Sequence, residues 1–164
     1  MDMKKLSICF GILITLLASR LIPHPPNFTS LLALSFYVPV LLGFRYLPVL
    51  IISFAITDLV IGFHSGVFWT WGSVMVIGLM SRYFNKNINF RLIGSSFGVL
   101  IFYLITNFGV WYSGLYGLTA EGFVECYVLA LPFFAYSLIS TLIFAVIIEF
   151  LIQIKVKFKN ILIK

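Results

Sequence analysis

Acidic side chains are almost missing from this sequence: five Asp and Glu stand among 164 residues, against eleven Lys and Arg. Histidine and cysteine are scarcer, with two of each. His24, Asp58, His64, Glu121, Glu125 and Cys126 are of the right types for a metal, but no HExxH or paired CxxC pattern brings them together. Cys9 and Cys126 lie in distant apolar stretches and give no disulfide framework. A P-loop is also absent. The chain is therefore read as a non-enzyme with no metal or other cofactor.

What remains is apolar. Hydrophobic residues make up 62% of the chain and charged residues 10%, more greasy surface than a water-soluble domain of this length can hide. Lipid is the expected solvent, and several runs approach the roughly 20 residues that cross about 30 Å of hydrocarbon as a helix. The sequence predicts one all-α integral membrane domain over 1–164, a compact six-helix transmembrane bundle. Its spans fall near 6–20, 28–43, 46–62, 67–82, 91–108 and 132–153. The opening "MDMKKLSICFGILITLLASR" also has the basic-then-apolar layout of a signal peptide, but five further spans favour an uncleaved first helix. The mixed stretch 109–131 reads as an interfacial loop or short helix leading to Pro132, a good first-turn residue for the last helix.

The net charge of +6 points to anionic headgroups and insertion topology, not to nucleic acid, because the basic residues sit at the ends of apolar runs. Six alternating spans place Lys4, Lys5, Arg45, Arg82, Lys86, Arg91, Lys155, Lys157, Lys159 and Lys164 on one side, with Arg20 opposite. The expectation is a multi-pass protein of the cell inner (cytoplasmic) membrane with both termini cytoplasmic. An odd number of spans would strand Glu121 and Glu125 in lipid at several kcal/mol each.

Most of the polar inventory falls at the other end. In "SRLIPHPPNFTS", residues 19–30, three prolines hold an extended connection that carries Arg20, His24 and Asn27; it reads either as a stiff turn or as a cap facing a ligand. Asp58 is a lone carboxylate in an apolar span, costly unless paired, hydrated or functional. Arg20 is its expected counter-charge and His64 a neighbour, and either a packing salt bridge or a polar ligand site accounts for it. Trp69 and Trp71 fit interfacial anchoring, with Gly72 and Gly78 permitting close helix approach. Asn107, Trp111, Glu121, Glu125 and Tyr127 bring aromatic and hydrogen-bonding groups to the segment after the fifth span. Glu121 and Glu125, four apart, share a helix face that suits a cation, an arginine or open water. At the other end, Glu149 is expected to meet Lys155 or a headgroup-level arginine, and the basic tail after it to lie along the inner leaflet.

With "RLIPHPPNFTSLLAL", "SFAITDLVIGFH", "TNFGVW" and "GFVECYVLALPFF" side by side, the chain resembles, from about Leu17 to Phe150, domain-of-unknown-function family 6580, small membrane transport proteins of unknown specificity. That family is similar to the substrate-binding components of energy-coupling factor transporters. The resemblance implies a bundle that holds a vitamin or similar small solute in an outward pocket. It also implies pairing with a transmembrane coupling subunit driven by ATPases, through a small-residue surface on the first helix near Gly11, Thr15 and Ala18. The expected mouth is formed by the first connection, the end of the third span and the segment after the fifth, with Asp58, His64, Asn107 or Trp111 lining it. The alternative is a non-transporting scaffold of a cell-envelope complex, which needs a partner surface but no cavity.

Overall fold

The computed structural model describes residues 3–63 and 65–162, and of Lys4 and residues 158–162 the backbone alone; His64 and Lys164 lie outside the described residues. The described chain is all α: α1 Met3–Leu21, α2 Leu31–Leu42, α3 Leu47–Ile61, α4 Val67–Met80, α5 Ile88–Tyr112, α6 Ala120–Leu129 and α7 Leu131–Leu162. Short 3-10 turns, Phe44–Tyr46 and Ser81–Phe84, lead into α3 and out of α4.

The ends of these helices follow from local chemistry. Pro23 biases the residue before it away from the α region, and α1 stops just short of it. Gly43 and Gly62 end α2 and α3 at φ of 95° and 111°, backbone that a side chain would strain. Asn87 caps α5 by accepting from the Phe90 N–H, and Thr119 caps α6 by accepting from the Gly122 N–H. Pro132 sits in the first turn of α7, as its sequence position predicts.

Three stretches, Phe44–Ile61, Ile88–Tyr112 and Leu131–Lys157, are long and apolar enough to cross a membrane. Phe68, Leu59, Ile93, Phe150 and Leu151 are among the large apolar side chains left exposed. Such a surface is stable against lipid and not against water, so this is a membrane protein. Helix α2 is apolar all round but only 12 residues long, about 18 Å, because it is the buried centre of the bundle. Leu31, Leu32, Ala33, Phe36, Tyr37 and Val38 are all buried, and α3, α4, α5 and α7 pack around them.

Several expected boundaries move for identifiable reasons. Helix α2 begins at Leu31 and not 28, because the connection keeps turning through Asn27, at a left-handed φ of 63°, and a Thr29 N–H to Asn27 C=O bond. Helix α5 is longer at both ends than 91–108, since Asn87 caps it early and no breaker stands before Ser113. The tail is a continuation of α7 to Leu162, not a separate segment on a leaflet; its lysines and interspersed apolar residues are all good helix neighbours without a glycine or proline to stop them. Of the two glycines expected to admit neighbours, only Gly78 does so: a Cβ there would lie 2.5 Å from Leu47 Cδ1, whereas Gly72 faces open space.

One end of the bundle is locked by a buried charge cluster. Arg91 of α5 meets Glu149 of α7 through two parallel hydrogen bonds, Nε to Oε1 at 2.6 Å and Nη2 to Oε2 at 2.7 Å. Tyr37 of α2 donates its hydroxyl to the same Oε1 at 2.9 Å. The partner of Glu149 is thus an arginine, not Lys155; the planar fork satisfies both carboxylate oxygens, which a lysine cannot. Glu149→Ala leaves Arg91 with an uncompensated charge among packed helices and should cost about 3–5 kcal/mol. The double replacement Glu149→Met/Arg91→Met should recover most of that loss. Denaturant unfolding of the purified protein in detergent micelles checks both, and equal destabilisation by the two changes would contradict the assignment.

Candidate functional site

The opposite end of the bundle carries a second charged cluster. Asp58, fully buried near the end of α3, forms an ion pair with Arg20 of α1, Nη1 to Oδ1 at 2.6 Å. Its other oxygen, Oδ2, accepts from the indole Nε1–H of Trp71 on α4 at 2.8 Å. Oδ1 has no well-aligned hydrogen bond of its own, so the guanidinium charge is what compensates it. The same Nη1 donates to the Thr57 hydroxyl, and the guanidinium lies over the Phe54 ring, 4.7 Å from its centroid. One carboxylate therefore ties α1, α3 and α4 together. Trp71 serves as its donor.

The connection 22–30 folds over this end of α2. Ser30 is pinned to α1: its hydroxyl lies 2.7 Å from that of Ser19, and its backbone N–H donates to Ser19 Oγ at 3.2 Å. The prolines and the positive φ of Asn27 shape the turn between. His24 Nδ1 lies 2.7 Å from the Pro25 carbonyl oxygen, which orients the ring.

Beneath this connection lies a cavity of about 230 Å³ lined by Arg20, His24, Asn27, Thr29, Leu31, Leu32, Phe54, Ile61, Thr70, Phe102 and Ser137. A second space of about 180 Å³ shares Asn27, Thr70, Phe102 and Ser137 with it and continues between α5 and α7 past Tyr103, Thr106, Asn107, Phe133 and Phe134. Shared walls make the two spaces adjoining lobes of one site. Asn27 and Ile61 are exposed and stand at its rim. The size suits a metabolite of modest mass, below the usual volume of a drug pocket.

The structure gathers Arg20, His24, Asn27 and Asn107 on these walls. Asp58 stands behind Arg20 and does not line either lobe. His64 is outside the described residues. Trp111 donates Nε1–H to the Thr119 carbonyl and packs against Phe108 and Phe123. Tyr127 donates its hydroxyl to the Leu104 carbonyl and stacks beside Phe123; burial pushes both its phenol and the Cys126 thiol up from their ordinary pKa values. These groups fasten α6 to α5. Glu121 and Glu125 are exposed on α6, and the backbone N–H of Glu121, helped by the Thr119 hydroxyl, holds the Glu121 carboxyl below its usual range. Among the described residues, no three His, Cys, Asp or Glu side chains are close enough to share a metal ion.

The sequence reasoning did not pick out Thr29, Phe54, Thr70, Phe102 or Ser137. Small hydroxyls such as Thr70 give little signal, because a threonine in an apolar helix returns its hydrogen bond to its own backbone, here the Val67 carbonyl at 2.8 Å.

The pattern of a family of unknown function, DUF6580, matches residues 2–160. The chain belongs to that family. The match covers both charged clusters, the first connection and the helices that wall the cavity. No curated protein and no solved structure matches the chain.

Because Asp58 has two partners on two other helices, removing either exposes a buried oxygen. Trp71→Phe keeps most of the ring's packing but leaves Oδ2 without a donor, and should destabilise the protein by about 1–3 kcal/mol. Thermal unfolding in detergent measures this; an unchanged midpoint would show that the indole bond contributes nothing.

Proposed function

We propose that this DUF6580 protein binds a small solute, such as a vitamin-sized metabolite, in the cavity beneath the first connection and takes part in its transport across the cell inner membrane. The observation that carries the reading is the cavity itself. It lies at the end where polar groups converge, it has a charged side chain, Arg20, on its wall, and its remaining lining combines polar side chains such as His24, Asn27 and Asn107 with aliphatic and aromatic ones. That combination of an apolar enclosure with a few fixed polar groups is what small-molecule sites are built from.

In this reading α1 to α5 and α7 form a six-span bundle resembling the substrate-binding component of an energy-coupling factor transporter, with α6 at the interface. Lys5, Arg45, Arg82, Lys86, Lys155 and Lys157 gather at the end that holds Glu149, which the positive-inside rule puts in the cytoplasm together with both termini. The cavity then opens outward. Gly11, Thr15 and Ala18 are exposed on α1, where a coupling subunit driven by ATPases would dock.

Mass spectrometry of solutes retained after gentle detergent extraction tests the proposal. The wild-type chain should carry one small-solute class near one per chain, and Ser137→Phe, which fills the space shared by both lobes, should deplete it at least tenfold while the protein remains folded. A protein that carries no solute and co-purifies with cell-envelope assembly proteins would instead be a scaffold.

A further inference from the structure

We infer that the solute is a small organic monocarboxylate, its carboxylate held between Arg20 and His24 and the rest of it in the neutral lobe between α5 and α7; this rests on the reading of the cavity as a solute site. The charges on the walls decide the sign. Arg20 is the charged residue there, with His24 the other basic side chain, and among the described lining residues of both lobes there is no Asp or Glu. Glu121 and Glu125, the groups that would favour a cation, are exposed on α6 and line neither lobe.

The guanidinium is half used. Its Nη1 serves Asp58 and Thr57, while among the described residues Nε and Nη2 have no hydrogen-bond partner. These N–H groups belong to a side chain that is 15% exposed and lines the cavity. The guanidinium fork matches the two oxygens of a carboxylate. Asp58 is fully buried and absent from the lining, so a ligand in the cavity lies closer to the arginine than to the aspartate.

Asp58 also sets the number of charges. With its charge already matched by Asp58, the guanidinium offers a further anion its free N–H groups and no surplus positive charge, which suits a singly charged carboxylate and not a phosphate dianion. The second lobe, with Phe102, Tyr103, Phe133 and Phe134 around Asn107 and Thr106, fits an aromatic or apolar body with few hydrogen-bonding atoms.

Isothermal titration calorimetry of the full chain in detergent, with benzoate, benzamide, benzylamine and phenyl phosphate, holds the ring constant and varies the head group. Benzoate should bind at least tenfold more tightly than the other three, and Ser137→Phe should abolish its binding. The neutral pair Arg20→Gln/Asp58→Asn avoids stranding a buried charge; it should weaken benzoate at least tenfold and change benzamide less than threefold. If benzamide, benzylamine or phenyl phosphate binds as tightly as benzoate and Ser137→Phe blocks it, the cavity is a solute site but the carboxylate assignment is overturned. Unchanged benzoate binding in the double variant also overturns it. If none of the four binds, or Ser137→Phe leaves binding intact, the solute reading falls as well.

Discussion

The buried pair between Arg20 and Asp58 is the constraint on which the candidate site depends. A carboxylate with no exposed surface costs several kcal/mol unless its charge is met, and here the compensation comes from two other helices, through Arg20 of α1 and Trp71 of α4. Meeting that requirement fixes the end of α1 against α3. It also holds the guanidinium at the cavity wall, with Phe54 beneath it and Thr57 beside it. The choice between a packing salt bridge and a ligand site, open from sequence alone, becomes a division of labour: Asp58 is the buried support and Arg20 the side chain that reaches the cavity.

The bundle is held by two such clusters, and they differ in one physical respect. At the Glu149 end, Arg91 uses both sides of its fork on one carboxylate, and Tyr37 completes the set. Arg91 lines neither lobe of the cavity, and the cluster behaves as a clamp on α2, α5 and α7. At the Asp58 end the arginine is only partly engaged, and the wall beside it is concave. Two chemically similar pairs thus use their arginines differently: one spends its fork on a carboxylate, and the other borders a cavity.

Much of this was legible in the sequence. The apolar runs locate α1, α3, α5 and α7, the prolines and glycines mark the breaks, and a lone aspartate in an apolar helix predicts a basic partner, which Arg20 supplies. The Tyr37 contact was not legible, because a tyrosine in an apolar helix reads equally as interface or core until α7, 112 residues away, is placed against it. The cavity walls were only half legible. His24, Asn27 and Asn107 stand out as polar, but Phe54, Thr70, Phe102 and Ser137 resemble ordinary residues of any buried helix. Trp111, Tyr127 and the glutamates, conspicuous by type, serve α6 itself or face outward, because side-chain chemistry without topology does not say which way a short helix presents its faces.

The most direct test of the account is from which side of the membrane the Arg20 end is reached. In a chain with Cys9 and Cys126 replaced by alanine, Thr29→Cys places a single thiol on the cavity wall. A membrane-impermeant maleimide should label it in intact cells, and excess benzoate should slow that labelling. Labelling only from the cytoplasmic face of inverted vesicles would contradict an outward-facing site at this end of the bundle.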